Sequence, residues 1–233
     1  MDMSPAEREE LLALYADLRV ADVRDGMDWN MQHYRGSMQP EIRPLWRTRA
    51  VGIARTARYL PYNGPIPRLS PEEYTQWVGW YYNTVCTYPW VAEIQPGDFV
   101  VIDQSDANVG LCGSNNTLEC LRLGARGLVS NGGVRDTDEV ILQKIPFWSR
   151  YSSQSMVQGR LQYDAHNVPV QVGGAAVFPG DVVVADGDGG IVGPTVPQRA
   201  HDLHELFAAV VALGMADLAG AAEVARGGGH PRR

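Results

Sequence analysis

Apolar residues recur at helical spacing near the start of the chain, where Leu11, Leu12, Leu14, Tyr15 and Leu18 form one stripe. Ahead of them, Ser4-Pro5-Ala-Glu7 supplies an N-cap, a first-turn proline and the acidic partner of a capping box, so a helix is predicted to open there. Ala21-Asp-Val-Arg-Asp-Gly-Met begins a second short helix or turn. Between Trp46 and Tyr59 the period changes to two, with Val51, Ile53 and Ala57 marking a strand. A second capping box, Ser70-Pro71-Glu72-Glu73, opens an aromatic segment that holds Tyr74, Trp77, Trp80, Tyr81, Tyr82, Tyr88 and Trp90. Aromatics so spaced predict core or a subunit contact, with a substrate lid as the sharper alternative.

Further on, the pattern repeats itself. Pro96-Gly-Asp-Phe-Val-Val-Ile-Asp103 is echoed by Pro179-Gly-Asp-Val-Val-Val-Ala-Asp186, each a tight turn feeding a buried strand that ends on an Asp. The echo predicts two strands used alike in one sheet system. Asp98 and Asp181 fit turn chemistry, whereas Asp103, Asp186 and Asp188 stand at strand ends, where ligand sites collect. Thr117 to Leu123 reads as a helix closed by Gly124-Ala-Arg-Gly127. Leu128-Val-Ser-Asn reads as a short strand, and Gly132-Gly133 as a sharp turn after it. Val168-Pro-Val-Gln-Val and Ala175-Ala-Val-Phe supply two more strands. A long helix is predicted from Gln198, carrying Leu203, Leu206, Val210, Leu213 and Leu218, and residues 227–233 are expected to be a disordered tail.

With 233 residues and 45% apolar content, the chain can bury one good core, so a single domain over 1–226 is expected. The net charge of −7 gives no general drive toward nucleic acid or acidic membranes. No apolar run reaches membrane-spanning length, and the first residues lack the basic start and apolar core of a signal peptide. The three cysteines, Cys86, Cys112 and Cys120, are too irregular for a disulfide framework or a zinc cluster. A reduced, cytoplasmic setting is the expectation. Lys144 is the single lysine, and no second cation is written beside it to activate its amine. Schiff-base chemistry is therefore not expected.

Gly113-Ser114-Asn115-Asn116-Thr is the richest segment chemically, together with Asn131-Gly-Gly-Val-Arg-Asp136. A glycine-led helix start offers unpaired N–H groups and a positive dipole end that suit a carboxylate. Arg135 can clamp the same anion with a planar fork, and Asp136 can hold a divalent cation. Together these groups suit chemistry on a 2-oxo acid.

These segments, with Gly124, Gly127, Ile145-Pro146, Gly159-Arg160, Pro169-Val170, Gly173-Gly174, Pro179-Gly-Asp181 and Ala185-Asp186-Gly-Asp-Gly189, resemble the RraA-like family. The matches run in order over roughly the C-terminal two-thirds of the chain, and Ala21-Asp-Val-Arg-Asp-Gly looks like the family's opening helix. Residues 61–90 look divergent or inserted. That family holds regulators of ribonuclease activity and the 4-hydroxy-4-methyl-2-oxoglutarate aldolases. The resemblance implies an α/β fold of α-β-β-α sandwich type, assembled as a homotrimer or homohexamer with sites between subunits. It also implies a class II, Mg2+-dependent (or Mn2+-dependent) aldolase and oxaloacetate decarboxylase chemistry on a 2-oxo acid through a metal-stabilised enolate. Carried over by position, Gly113, Ser114, Asn115 and Asn116 would seat the substrate, Arg135 would bind the same end, and Asp136 would be the metal ligand. Ser114 stands where the family's aldolases carry an acidic residue, which removes a proton-transfer group from an otherwise retained site.

The expected function is thus a metal-dependent carbon–carbon lyase. Its alternatives are a metal-enolate isomerase, dehydratase or decarboxylase with a specialised substrate, and a non-catalytic protein-binding regulator. Lesser candidates are Glu119 as a substitute carboxylate and Asp138 and Glu139 as water-mediated metal contacts. His201 and His204 are spaced for a metal, and His166 and Cys112 could serve near the site. Each has a plainer reading as an exposed, loop or core residue.

Overall fold

The computed structural model describes residues 3–193. Both predicted capping boxes form. In α1 (Pro5–Tyr15) the Ser4 N–H donates to Glu7 Oε2 (2.7 Å) and the Glu7 N–H to Ser4 Oγ (3.3 Å); Ser70 and Glu73 do the same for α3 (Pro71–Thr84). Between them, α2 (Val20–Trp29) starts where the Arg19 N–H meets Asp22 Oδ2 at 2.8 Å. A short 3-10 turn, Pro89–Glu93, follows α3.

The strands are β1 (Arg43–Pro44), β2 (Ala50–Pro61), β3 (Asp98–Asp103), β4 (Gly110–Cys112), β5 (Gly127–Val134), β6 (Phe147–Ser152) and β7 (Leu161–His166). Then come β8 (Val170–Val172), β9 (Ala175–Val177), β10 (Val182–Asp186) and β11 (Gly189–Gly193). Helices α4 (Ser114–Arg122) and α5 (Thr137–Leu142) cross over between β4 and β5 and between β5 and β6. Among the described residues nine strands make one mixed sheet in the order β1-β6-β5-β3-β2-β10-β11, with β4 beside β5 and β7 beside β2. Strands β2, β3, β5 and β6 run parallel, while β10 and β7 lie antiparallel to β2.

The sheet curls until β1 returns against β11, giving a nearly closed barrel in a single mixed α/β domain. Such curling is what accumulated strand twist does to a sheet this wide. Trp148 Nε1 on β6 donates to the Asp186 carbonyl at the end of β10 (2.8 Å), and Arg43 donates to the Asp188 carbonyl (3.2 Å). The inner face is filled by Phe99, Val101, Val129, Trp148 and Val183 packed on the β8–β9 hairpin. Outside, α1 and α2 cover β2, β10 and β11 through Leu12, Tyr15, Val23 and Met27, and α3, α4 and α5 share a second core around Leu128 and Phe147. The α/β class expected from sequence holds, in the form of one nearly closed sheet with helices outside it.

The two echoed segments become β3 and β10, which pair with β2 on its opposite edges. Asp98 does more than turn chemistry: it is buried and paired with Arg8 (2.6 Å) and Arg55 (3.0 Å). Asp103 accepts from Asn131 Nδ2 (2.8 Å) and Asp186 from the Val20 N–H (2.9 Å), so both brace loops.

One expectation is corrected. Gly132 and Gly133 do not form a turn; they lie buried within β5. A Cβ at Gly132 would sit 2.1 Å from Gln104 Nε2, and one at Gly133 would sit 2.9 Å from the Val109 carbonyl oxygen. The glycines serve close approach inside the sheet. The strand predicted from Trp46 to Tyr59 is shifted to Ala50–Pro61, and the helix predicted from Thr117 starts at Ser114. The predicted helix from Gln198, His201, His204 and the tail 227–233 lie outside the described residues. Among the described residues no helix is long and apolar enough to cross a membrane.

Candidate active site

The site forms beyond the carboxyl end of β5, a strand flanked by parallel β3 and β6 with β4 alongside its last residues. Loops at this end of parallel strands are where open α/β sheets gather ligands. The Arg135 N–H donates to the Cys112 carbonyl (3.0 Å) and the Ser153 N–H to the Val134 carbonyl (2.7 Å), which fixes where the strand delivers Arg135 and Asp136. The chain turns at Asp136, not at the glycines: its φ of 54° and ψ of 41° place it in the left-handed region. Asp tolerates that region better than most residues, although it still costs about 1 kcal/mol. Asp136 sits at the N-cap position of α5, yet its side chain caps nothing there.

Its carboxylate instead faces the start of α4. The Ser114 N–H donates to Asp136 Oδ2 (3.3 Å) and Arg135 Nε donates to Asp136 Oδ1 (3.2 Å), with the Arg135 and Asp136 side chains 34% and 37% exposed. Gly113 makes this approach possible, since a Cβ there would lie 2.3 Å from Asp136 Oδ2. Helix α4 has no side-chain cap, so its first amides remain available; the Asn115 and Asn116 N–H groups have no acceptor among the described residues.

Gly113, Asn115, Asn116, Arg135 and Asp136 all line one pocket. Ser114 is half-buried and absent from that lining; it contributes its backbone amide to Asp136. The opposite wall comes from the aromatic segment: Val78 and Tyr82 from α3, then Thr87, Tyr88 and Pro89, with Leu111 and Met156 completing it. Tyr88 Oη donates to the Leu111 carbonyl (2.8 Å), tying that wall to the strand that leads into Gly113. The sequence reading favoured a core or subunit-contact role for these aromatics. Tyr81 and Trp90 are indeed buried, but Tyr82 and Tyr88 face the pocket. Gly110, which the sequence did not single out, gives Arg135 its room, because a Cβ there would sit 2.9 Å from Arg135 Cβ.

Other candidates fall elsewhere. Glu119, Asp138, Glu139 and Lys144 do not line the pocket. His166 is held by Tyr163 and by Glu93 (2.9 Å), which lowers the pKa of the Glu93 carboxyl. Cys112 is fully buried beneath Gly113, and burial pushes its thiol well above the usual range; Cys86 and Cys120 are pushed up to about 12. Thiolates are therefore absent near neutrality. A disulfide reagent at pH 8 is expected to label none of the three until denaturant is added, as followed by absorbance of the released thiol. Prompt labelling of the native protein would contradict this burial.

Among the described residues no three His, Cys, Asp or Glu side chains cluster to hold a metal. Zinc, which needs a nitrogen or sulfur cage, does not fit. A hard cation such as Mg2+ keeps most of its waters and needs only one or two carboxylates plus substrate oxygens. A lone, part-exposed Asp136 beside an anion seat fits that demand.

Three comparisons bear on this geometry. The sequence profile described as "RraA-like: Aldolase/RraA" matches residues 20–192. A protein from Halalkalibacterium halodurans, named as a candidate 4-hydroxy-4-methyl-2-oxoglutarate aldolase, is 31% identical over 103 residues, 44% of this chain and 49% of its own length. One of the same name from Deinococcus radiodurans is 34% identical over 98 residues, 41% of this chain and 60% of its own length. The matched stretch thus spans about half of those relatives. In fold, the chain is similar to Streptomyces coelicolor RraAS2, described as an unusual member of the RNase ES inhibitor RraA protein family, with a TM-score of 0.66, 23% identity and coverage of 97% and 98% of the two chains.

Proposed function

Since the chain belongs to the RraA-like family, with the profile matching most of its length, we propose that it is a carbon–carbon lyase that cleaves a 2-oxo acid with the help of Mg2+ or Mn2+. One observation carries the reading: Arg135, Asp136 and the free amides of α4 converge on a single pocket. The aldolase names of the two relatives support the reaction class.

In this reading the Asn115 and Asn116 amides receive the substrate carboxylate at the positive end of α4. Arg135 points its guanidinium at the keto oxygen, where negative charge develops as the bond beyond C3 breaks. Asp136 would hold the divalent cation, which when bound polarises the keto group. The electron pair of the broken bond passes into the enolate, and C3 then takes a proton. Among the described residues Asp136 is the only acidic side chain in the pocket wall, so solvent supplies that proton. Ser114 acts through its N–H, which steadies the Asp136 carboxylate. Gly113 keeps the two close. The expected assembly is a trimeric ring or two stacked rings.

A second reading, a protein-binding regulator without catalysis, draws on the serine at position 114 and on the lack of a second carboxylate or an imidazole among the described residues of the wall. The pair is separated by measuring pyruvate release from oxaloacetate, a hydroxylated 2-oxo diacid and a 4-hydroxy-2-oxo acid with an aryl group on C4, with Mg2+ and after chelation. Turnover is expected with the metal and is lost without it, while Lys144→Ala keeps nearly all of it. Turnover that survives full metal removal would overturn the metal-dependent reading. No turnover, with no Mg2+ affinity in the presence of oxalate, would favour the regulator.

A further inference from the structure

The two ends of the pocket differ sharply in chemistry. Among the described residues Arg135 is its only cationic side chain, and it stands at the keto-acid end beside Asp136 and α4. The remaining wall is apolar or neutral: Val78, Tyr82, Tyr88, Leu111 and Met156, with the neutral Asn83 and Thr87 between them. The rings of Tyr82 and Tyr88 lie 6.5 Å apart, tilted by 34°, so they present a shaped aromatic surface. Burial raises the Tyr88 hydroxyl well above its ordinary range, and its proton is already given to the Leu111 carbonyl. That side chain offers a ligand its ring, not its hydroxyl.

The wall is also anchored. Tyr81, on the inner side of α3, is fully buried and donates to the Leu161 carbonyl (2.7 Å). Trp77 and Tyr62 pack edge-on against its ring at 5.2 Å and 5.3 Å. Helix α3 is thereby held in place before any ligand arrives, which favours selectivity. The cavity measures about 860 Å³, far more than a three-carbon keto acid fills.

We infer that the substrate is a 2-oxo acid whose far end is a bulky neutral group, aryl or branched alkyl, rather than a second carboxylate. The inference rests on the proposed lyase reading and names its substrate class. A carboxylate placed against Tyr82, Tyr88 and Met156 would lose water with no cation among the described residues of that wall to offset the loss. An aryl group there would gain apolar contact and ring stacking. For a 4-hydroxy-2-oxo acid the step balances simply. The C4 hydroxyl loses its proton as an aldehyde or ketone forms, the C3–C4 bond breaks, and C3 gains a proton, leaving pyruvate.

Calorimetric titration of the protein with Mg2+ present tests this, using oxalate, phenylpyruvate and 2-oxoglutarate. Oxalate has no tail and reports on the keto-acid end alone. Phenylpyruvate is expected to bind about tenfold or more tighter than 2-oxoglutarate, the range a well-matched apolar pocket gives. Equal affinities, or tighter 2-oxoglutarate, overturn the inference while oxalate binding leaves the lyase reading standing. Failure of oxalate to bind sinks both. Val78→Arg is expected to reverse the preference by placing a second cation in the far wall; an unchanged ratio shows that the tail does not reach α3 and overturns the inference. Should that variant fail to fold, Tyr82→Ala serves, with phenylpyruvate affinity falling about tenfold relative to oxalate. No such fall would equally overturn it.

Discussion

Asp136→Asn is expected to cut turnover of a 2-oxo acid by on the order of a thousandfold, with Mg2+ affinity falling alongside. The substitution keeps the size of the side chain and its left-handed backbone preference, so the strand end and the start of α5 stay where they are. What disappears is the one negative charge among the described residues of the pocket wall. No other acidic side chain among the described residues lines the pocket, and Asp138 and Glu139 lie outside it. Asp136→Gly sharpens the test. Glycine adopts a φ of 54° freely, so this variant should melt at least as high as the parent while being equally inactive. Loss of activity with gain of stability is the signature of a strained residue kept for chemistry. A variant of either kind that retains more than about a tenth of the parent turnover would show that Asp136 is not where the reaction depends on charge.

Gly113→Ala carries the second large effect, and its origin is purely steric. The backbone at Gly113 is extended, with a φ of −129°, so any residue can adopt it. The added methyl, however, would stand 2.3 Å from Asp136 Oδ2 and 3.2 Å from Arg135 Cγ. Because Asp136 is more than a third exposed, its carboxylate can swing outward, and the fold should lose little stability. That swing breaks the 3.3 Å contact with the Ser114 N–H and moves the carboxylate by about an ångström or more, a displacement that typically costs about a hundredfold in rate. Turnover and thermal melting measured on the same preparation decide the matter. A Gly113→Ala variant that stays active would mean that the close packing of Gly113 on Asp136 is incidental; one that no longer folds would mean that the glycine is structural.

Local sequence revealed those parts of the molecule whose signals are local. The capping boxes at Ser4 and Ser70 act within one turn, and both formed as written. The juxtaposition of Arg135 and Asp136 was legible because they are adjacent, and the place of Gly113 because it opens a helix. Gly132-Gly133 misled, because paired glycines suit a turn and a close approach equally well. What decided between them was Gln104, a distant residue packed against the strand. The aromatic wall was legible only as the less favoured lid alternative, for the same reason. Tyr82 and Tyr88 meet Arg135 only through the parallel order of β3, β5 and β6 and the placement of β4, which no short window encodes. Strand β11 carries three glycines in Gly189–Gly193, which dilute the strand preference of Ile191 and Val192; its pairing with β10 and its bridge to Ser37 make it one.

The arrangement around β2 has a consequence for how the chain comes into being. This strand of 12 residues has one edge covered by β3, soon after it in sequence. Its other edge is divided between β10, at Ala50–Ile53, and β7, at Ala57–Pro61. On a translating ribosome that edge stays bare until residues 161–186 have emerged, long after β3 to β6 and the Arg135–Asp136 turn. A long apolar strand with open backbone groups is a template for mispairing. A chain stopped after Ser152 would hold Arg135, Asp136 and the start of α4 and still be expected to aggregate, because the strands that cover this edge come only near the end of the described residues.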